Sequence, residues 1–187
     1  AQDLVSIQND VSRGTQVLEN LLLLARLDPA NTSQLPKTEI DVQLVVKEVI
    51  QALQPFALEK NIQIQTELSL NLYIKANEKL IFSCLRNLVD NAIRYAEQGG
   101  HVFIDVQHKQ QQIIISIQDD GQGVTDEVLQ RLGERFYRAL GTKTQGSGLG
   151  LSICQKIIEL HAGEIHFSQS SHGGLKVELQ FPLHLRR

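Results

Sequence analysis

The stretch Asn87-Leu88-Val89-Asp90-Asn91-Ala92-Ile93-Arg94-Tyr95 decides how the rest of the chain is read. At about 100° per residue, Asn87, Asn91 and Arg94 share a narrow sector of one helix, while Ile81, Leu85, Leu88 and Ala92 fall on its apolar side. A helix that buries one face therefore carries two amides and a guanidinium along one polar edge. Amide oxygens are hard ligands of the kind Mg²⁺ prefers, and Arg suits phosphate oxygens. Taken alone, the same edge fits a solvated polar face. Asn77 stands where this helix, about 78–96, needs an N-cap.

Outward toward the C-terminus, residues 101–107 and 112–118 read as two strands joined by a Lys109-Gln110-Gln111 turn, with Ile113 to Ile115 pointing to burial on both faces. Directly after them comes Asp119-Asp120-Gly121-Gln122-Gly123. A carboxylate at a strand end followed by Gly-x-Gly lets backbone approach a planar ligand while the acid accepts a hydrogen bond from an exocyclic amine. The same letters also spell an ordinary turn. Further on, Gly146-Ser147-Gly148-Leu149-Gly150-Leu151 feeds a third helix, 147–161, whose unpaired N–H groups and positive dipole end form a phosphate cradle. Neither the Gly-Lys-Ser/Thr of a P-loop nor a dinucleotide G-x-G-x-x-G is present.

Toward the N-terminus, residues 3–27 carry a seven-residue apolar repeat, Leu4, Val11, Leu18 and Ala25 on one line and Ile7, Gly14 and Leu21 on the other. That is the seam of a helix that needs a partner helix. Asp28-Pro29 stops it. A strand at 37–40 follows, then a helix capped by Asp41 and running to about 59, with Leu44, Val45, Val49, Leu53 and Phe56 as its apolar positions and Pro55 inside it. Strands at 62–68 and 72–75 precede the first-quoted helix, and strands at 164–170 and 175–182 close the chain. The expected fold is α+β, a two-layer sandwich of a mixed sheet of about five main strands with three long helices on one face, preceded by one protruding coiled-coil-like helix. The expected boundaries are 1–28 for that helix, 29–36 for a linker and 37–187 for the main domain.

The chain has 187 residues and a net charge of -3 from 18 basic and 21 acidic residues, which argues against nucleic acid as a partner. Cys84 and Cys154 have no second ligand at metal-binding spacing and read as buried thiols. The longest apolar run, Leu21 to Ala25, is far short of a membrane span, so no direct membrane contact and a cytoplasmic location are expected for these residues. The sequence lacks Met altogether, which leads us to expect that it was cut from something longer.

With these motifs in hand, the chain resembles the catalytic ATP-binding domain of bacterial sensor histidine kinases of two-component systems, within the superfamily shared with gyrase, Hsp90 and MutL-type ATPases, and is similar to its QseC-like branch. The N box is similar to Asn87 to Tyr95, the G1 box to Asp119 to Gly123, the F box to Glu134-Arg135-Phe136-Tyr137-Arg138, and the G2 box to Gly146 to Leu151, in family order. Residues 3–27 resemble the second helix of the dimerisation and phosphotransfer hairpin. The resemblance implies a Bergerat-type sandwich that binds ATP with Mg²⁺. In it, Asn91 is the main metal ligand with Asn87 beside it, Arg94 faces phosphate and Tyr95 packs near the base. Asp119 takes the adenine amine, and Gly121 and Gly123 let the chain pass the base. Gly146, Gly148 and Gly150 wrap the phosphates, with Leu149 and Leu151 anchoring the helix behind. Residues 124–147 form a lid that brings Arg138 and Lys143 to the terminal phosphates and latches through Phe136.

The resemblance further implies transfer of the γ-phosphate to a histidine upstream of residue 1, relay to the receiver domain of a response regulator, a homodimer through the helical hairpin, and a full-length protein in the bacterial inner membrane. Hydrolysing relatives carry Glu at the position of Asn87. An amide cannot serve as the base for water, so kinase chemistry is favoured over an ATPase, with a non-catalytic nucleotide-sensing module as the other reading. Gly133 departs from the aromatic usual before the F-box Glu, and none of the six histidines has the setting of a phosphoacceptor.

Overall fold

The computed structural model describes Leu22, residues 36–134 and residues 149–184. The expected N-terminal helix falls outside the described residues except for Leu22, which is helical and exposed.

Strand β1 (Thr38–Asp41) leads into helix α1 (Val42–Glu59), and the Asp41 carboxylate accepts hydrogen bonds from the N–H groups of Gln43 and Leu44 at 2.9 and 3.4 Å. This satisfies donors that the first helical turn leaves without intrahelical partners. Helix α1 continues through Pro55 and buries Val42, Val45, Val46, Val49, Leu53 and Ala57. The sequence pattern placed Leu44 and Phe56 on this apolar face, but they are 56% and 51% exposed. The buried stripe begins at Val42 and runs through Val46 and Ala57, which leaves those two side chains off its edges.

Strand β1 pairs antiparallel with β3 (Tyr73–Ala76) in a small sheet of its own. The main sheet has the order β2 (Gln63–Leu68), β4 (His101–Lys109), β5 (Gln112–Asp119), β7 (Leu175–Pro182), β6 (Glu164–Gln169). The β2–β4 pair is parallel and the others are antiparallel, so the sheet is mixed as expected. Strands β4 and β5 are joined through Gln110 and Gln111, both left-handed with φ of 49° and 68°, the backbone of a two-residue turn that matches strand twist.

Helices α2 (Glu78–Tyr95) and α4 (Gly150–Leu160) complete the helical layer with α1, and a short α3 (Asp126–Arg131) stands between β5 and α4. Alternate residues of the sheet face that layer: Val102, Ile104 and Val106 from β4, Ile113, Ile115 and Ile117 from β5, Val177, Leu179 and Phe181 from β7. Each such side chain contributes about 1.5–3 kcal/mol through burial. Over this core α2 packs on β5, and α4 packs on α2 and on β6.

Candidate functional site

Helix α2 owes its placement to both ends. Asn77 caps it, its side-chain oxygen accepting from Leu80 N–H at 3.2 Å, and Glu78 in the first turn and Arg94 in the last complement the helix dipole. Its buried face, which includes Ile81, Leu85, Leu88 and Ala92, leaves Asn87 and Asn91 half-buried along one edge, as the periodicity required, with Asp90 half-buried beside them. Arg94 is exposed and bonds through Nε to Asp90 at 2.9 Å, one turn away. Burial pushes the Asp90 carboxyl up from the usual carboxylate range, against the pull of Arg94 and Arg86. Tyr95 is 45% exposed.

Helix α4 begins at Gly150, three residues later than expected, and no side chain caps it. Leu149, at the N-cap, is fully buried, and Leu151 packs against the core, so both hold the helix start in place. A Cβ on Gly150 would stand 2.7 Å from Asn87 Oδ1 and 2.8 Å from Nδ2. Glycine is thus what allows the first turn of α4 to lie against the Asn87 amide, and the first and third motifs meet there.

The second motif sits at the C-terminal end of α2, where Gly121 lies against the Tyr95 carbonyl. Asp119 is 3% exposed, with Oδ1 accepting from Gly121 N–H at 2.9 Å and Oδ2 from Leu175 N–H at 3.3 Å. Burial raises its carboxyl pKa, Asp120 beside it adds to the rise, and the two N–H donors and Lys60 oppose it. The surrounding backbone is packed tightly. A Cβ on Gly121 would collide with the Tyr95 carbonyl, and one on Gly174, in the β6–β7 turn, with Asp119 Oδ1. Gly123 has φ of +71° and lies against the Gly173 carbonyl. Asp120 faces away, its Oδ2 accepting from His101 N–H at 2.7 Å. The β6–β7 turn is tied to the same corner by the His172 ring, stacked 3.8 Å from Phe103.

Described residues therefore place Asn87, Asn91, Arg94, Tyr95, Asp119, Gly121, Gly123, Leu149, Gly150 and Leu151 around one end of the sandwich. Phe136, Arg138, Lys143, Gly146 and Gly148 lie outside the described residues. Gly133 has φ of +96° and faces Gln155, so the departure from the aromatic noted above has a backbone cause. Residues that the sequence reading passed over include Gly174, Leu175 and Lys60, whose contacts with Asp119 and α2 cross long stretches of chain.

The donor set suits a hard divalent cation. Among the described residues no cluster of three or more His, Cys, Asp or Glu is arranged to hold a metal. A cation at this site would rest on the amide oxygens of Asn91 and Asn87 together with oxygens of a bound phosphate. Among the described residues no helix is long and apolar enough to cross a membrane.

Residues 76–185 match the family described as histidine kinase-, DNA gyrase B-, and HSP90-like ATPase. The chain is 34% identical over 179 residues to the sensor protein QseC of Salmonella typhi, covering 95% of this chain and 39% of that protein. It is 35% identical over 188 residues to the sensor protein kinase PmrB of Pseudomonas aeruginosa, covering 97% of this chain and 38% of that protein. The chain thus spans about two fifths of the length of these curated relatives. Among solved structures, the catalytic domain of the histidine kinase ThkA superposes with a TM-score of 0.71 at 29% identity, covering 78% of this chain and 95% of that one.

Proposed function

The chain belongs to the family of histidine kinase-, DNA gyrase B- and HSP90-like ATPases, and from that premise we propose that it binds ATP with Mg²⁺ and delivers the γ-phosphoryl group to a histidine of a sensor kinase. The observation that carries this reading is the meeting of residues from three motifs: a buried acid held by backbone amides at one end of α2, and the Asn87 amide at its middle, seated against Gly150 at the start of α4.

Asp119 accepts a hydrogen bond from the adenine amine, and the Gly121 to Gly123 backbone passes the face of the base. The α4 start, with Gly146, Gly148 and Gly150, offers N–H groups to the phosphates. Asn91, with Asn87, would hold the magnesium ion, which when bound would neutralise phosphate charge. Arg94, together with Arg138 and Lys143 from the lid, adds cationic charge there, and Phe136 latches the lid. In transfer, a neutral imidazole nitrogen attacks the γ-phosphorus, the bond from that phosphorus to the β-bridging oxygen breaks, and ADP leaves. The chain's part is positioning and charge stabilisation. Asn87 has no proton-accepting role toward water, so the nucleotide waits for the histidine.

In this reading residues 1–28 supply the second helix of the dimerisation hairpin, 29–36 link it, and 37–187 form the catalytic domain. The accepting histidine comes from the first helix of that hairpin in the whole protein, which dimerises, sits in the inner membrane with this part in the cytoplasm, and passes the phosphoryl group to a response-regulator aspartate.

The test is transfer of label from γ-labelled Mg-ATP to a separately made hairpin carrying the histidine. Acid-labile label on the hairpin, lost with Asn91→Ala, is the expected result. Steady phosphate release without hairpin labelling would instead make the chain an ATPase.

A further inference from the structure

Lys60 lies where α1 ends and the chain turns into β2, far in sequence from every motif above. Its Nζ donates to three main-chain carbonyls at the end of α2: Ile93 at 3.0 Å, Arg94 at 2.6 Å and Ala96 at 2.6 Å. An ammonium has three N–H donors, so this arrangement uses all of them on the helix end whose carbonyls lack intrahelical partners and whose dipole is negative. The lysine's own carbonyl accepts from Gly99 N–H at 3.2 Å, and Gly100 closes the same turn by bonding to Gln63 N–H at 2.9 Å. The α2–β4 connection is thereby fastened at both edges.

The carbonyl between those that Lys60 holds belongs to Tyr95, and it is the atom against which Gly121 packs. Gly121 N–H in turn donates to Asp119. A continuous path of contacts runs from the Lys60 ammonium through the α2 carbonyls to the Gly121 turn and the Asp119 carboxylate. We propose that Lys60 is a positioning residue for the nucleotide site, setting the end of α2 and the Asp119 turn in one register through its three carbonyl contacts. It rests on the reading of Asp119 as the acceptor of the adenine amine.

The electrostatics point the same way. Lys60 from the α1–β2 turn favours the ionised Asp119, Asp120 on the same strand end disfavours it, and burial disfavours it most. From α2 the nearby charges Arg94 and Asp90 are paired with each other. From the β6–β7 turn, Leu175 offers a backbone N–H, and the His172 ring is stacked on Phe103. Removing the lysine charge therefore shifts Asp119 toward its protonated form, which no longer accepts at both oxygens.

The experiment measures binding of a fluorescent ATP analogue with Mg²⁺ to the whole chain between pH 5 and 8, for the wild type, Lys60→Met, Lys60→Gln, Lys60→Arg and Asp119→Asn, with circular dichroism as the check on folding. Lys60→Met is expected to weaken binding about tenfold at neutral pH, in the range seen when groups that orient a ligand's contacts are removed. The acid limb of its binding curve should move to higher pH. Lys60→Arg restores most of the affinity and the wild-type limb, whereas the neutral Lys60→Gln keeps the shifted limb. If Lys60→Met does not fold, the contrast between the Gln and Arg variants carries the test. The ligand's own titration is common to all variants. Unchanged affinity and pH profile in the neutral variants, with binding lost in Asp119→Asn, would overturn the role of Lys60 alone. Wild-type binding by Asp119→Asn would instead overturn the adenine-site reading on which it rests.

Discussion

The two ends of the candidate site are built differently. At the Asp119 end, a 3% exposed carboxylate is held by main-chain donors from Gly121 and from Leu175, 56 residues further on, and glycines stand wherever a side chain would strike backbone or the acid itself. At the Asn87 end, half-buried amides and the exposed Arg94–Asp90 pair lie along a helix edge, and the contact made with Gly150 is side chain against backbone. In the proposed reading the first end is in place before a ligand arrives, and the second is a surface that the ligand completes. In this account, base recognition is preorganised and phosphate recognition is assembled.

The largest effect should come from the rigid end. Asp119→Ala is expected to lower adenine-nucleotide affinity about 100-fold, the scale of a lost hydrogen bond to a charged group, with the far-ultraviolet dichroism unchanged. Isothermal titration would check it, and a loss of tenfold or less would show that the base is held elsewhere.

The two glycines sharpen the contrast. Gly121→Ala sets a methyl group into the Tyr95 carbonyl and should reduce unfolding stability by about 2–3 kcal/mol in urea titration. Gly150→Ala meets the side-chain amide of Asn87 first, in the first turn of a helix, where Ala is the better helix former. It should change stability by less than about 1 kcal/mol while slowing phosphotransfer. Equal stability losses in the two variants would erase the distinction between the ends.

A smaller effect concerns His161. Its Nε2 accepts from Asn77 N–H at 3.0 Å and its Nδ1 lies 2.6 Å from the Ile157 carbonyl, an arrangement that requires the neutral ring protonated at Nδ1. Burial lowers its pKa from 6.5, with Lys37 adding to the fall and the Ile157 bond opposing it. The unfolded chain therefore takes up a proton before the folded one does. The stability that the neutral ring contributes is complete above about pH 6.5 and is lost as pH falls through the lowered folded value. Replacement by Phe should flatten that component of stability against pH; an unaltered slope would mean that other groups carry it. The smallest effect belongs to Leu44→Ser on the outer face of α1, within about 0.5 kcal/mol of the wild type.

The same contrast explains what was legible in the sequence. Helix α2, its Asn77 cap and the Asn87, Asn91 and Arg94 edge follow from periodicity, because neighbours on a helix are set by spacing alone. Asp119 at a strand end beside Gly-x-Gly was likewise visible as a motif. The partners that fix it were not. Gly174, Leu175 and Lys60 reach it only through the strand order β5–β7–β6 and the packing of α1 on α2, and no local pattern encodes those adjacencies. Leu44 and Phe56 misled because an apolar residue near a stripe reads as part of it, although a protein surface keeps many such residues exposed. His161 joins α4 to the cap of α2, and its acceptor role depends on a residue 84 positions away, which no local pattern encodes.

The most direct measurement of the central claim compares Mg-ATP with an analogue lacking only the 6-amine, purine riboside triphosphate, on the wild type and on Asp119→Ala. The wild type should prefer ATP by about tenfold or more, and the variant should bind the two nucleotides equally. Equal binding of both by the wild type, or an undiminished preference in the variant, would contradict the assignment of the adenine amine to Asp119.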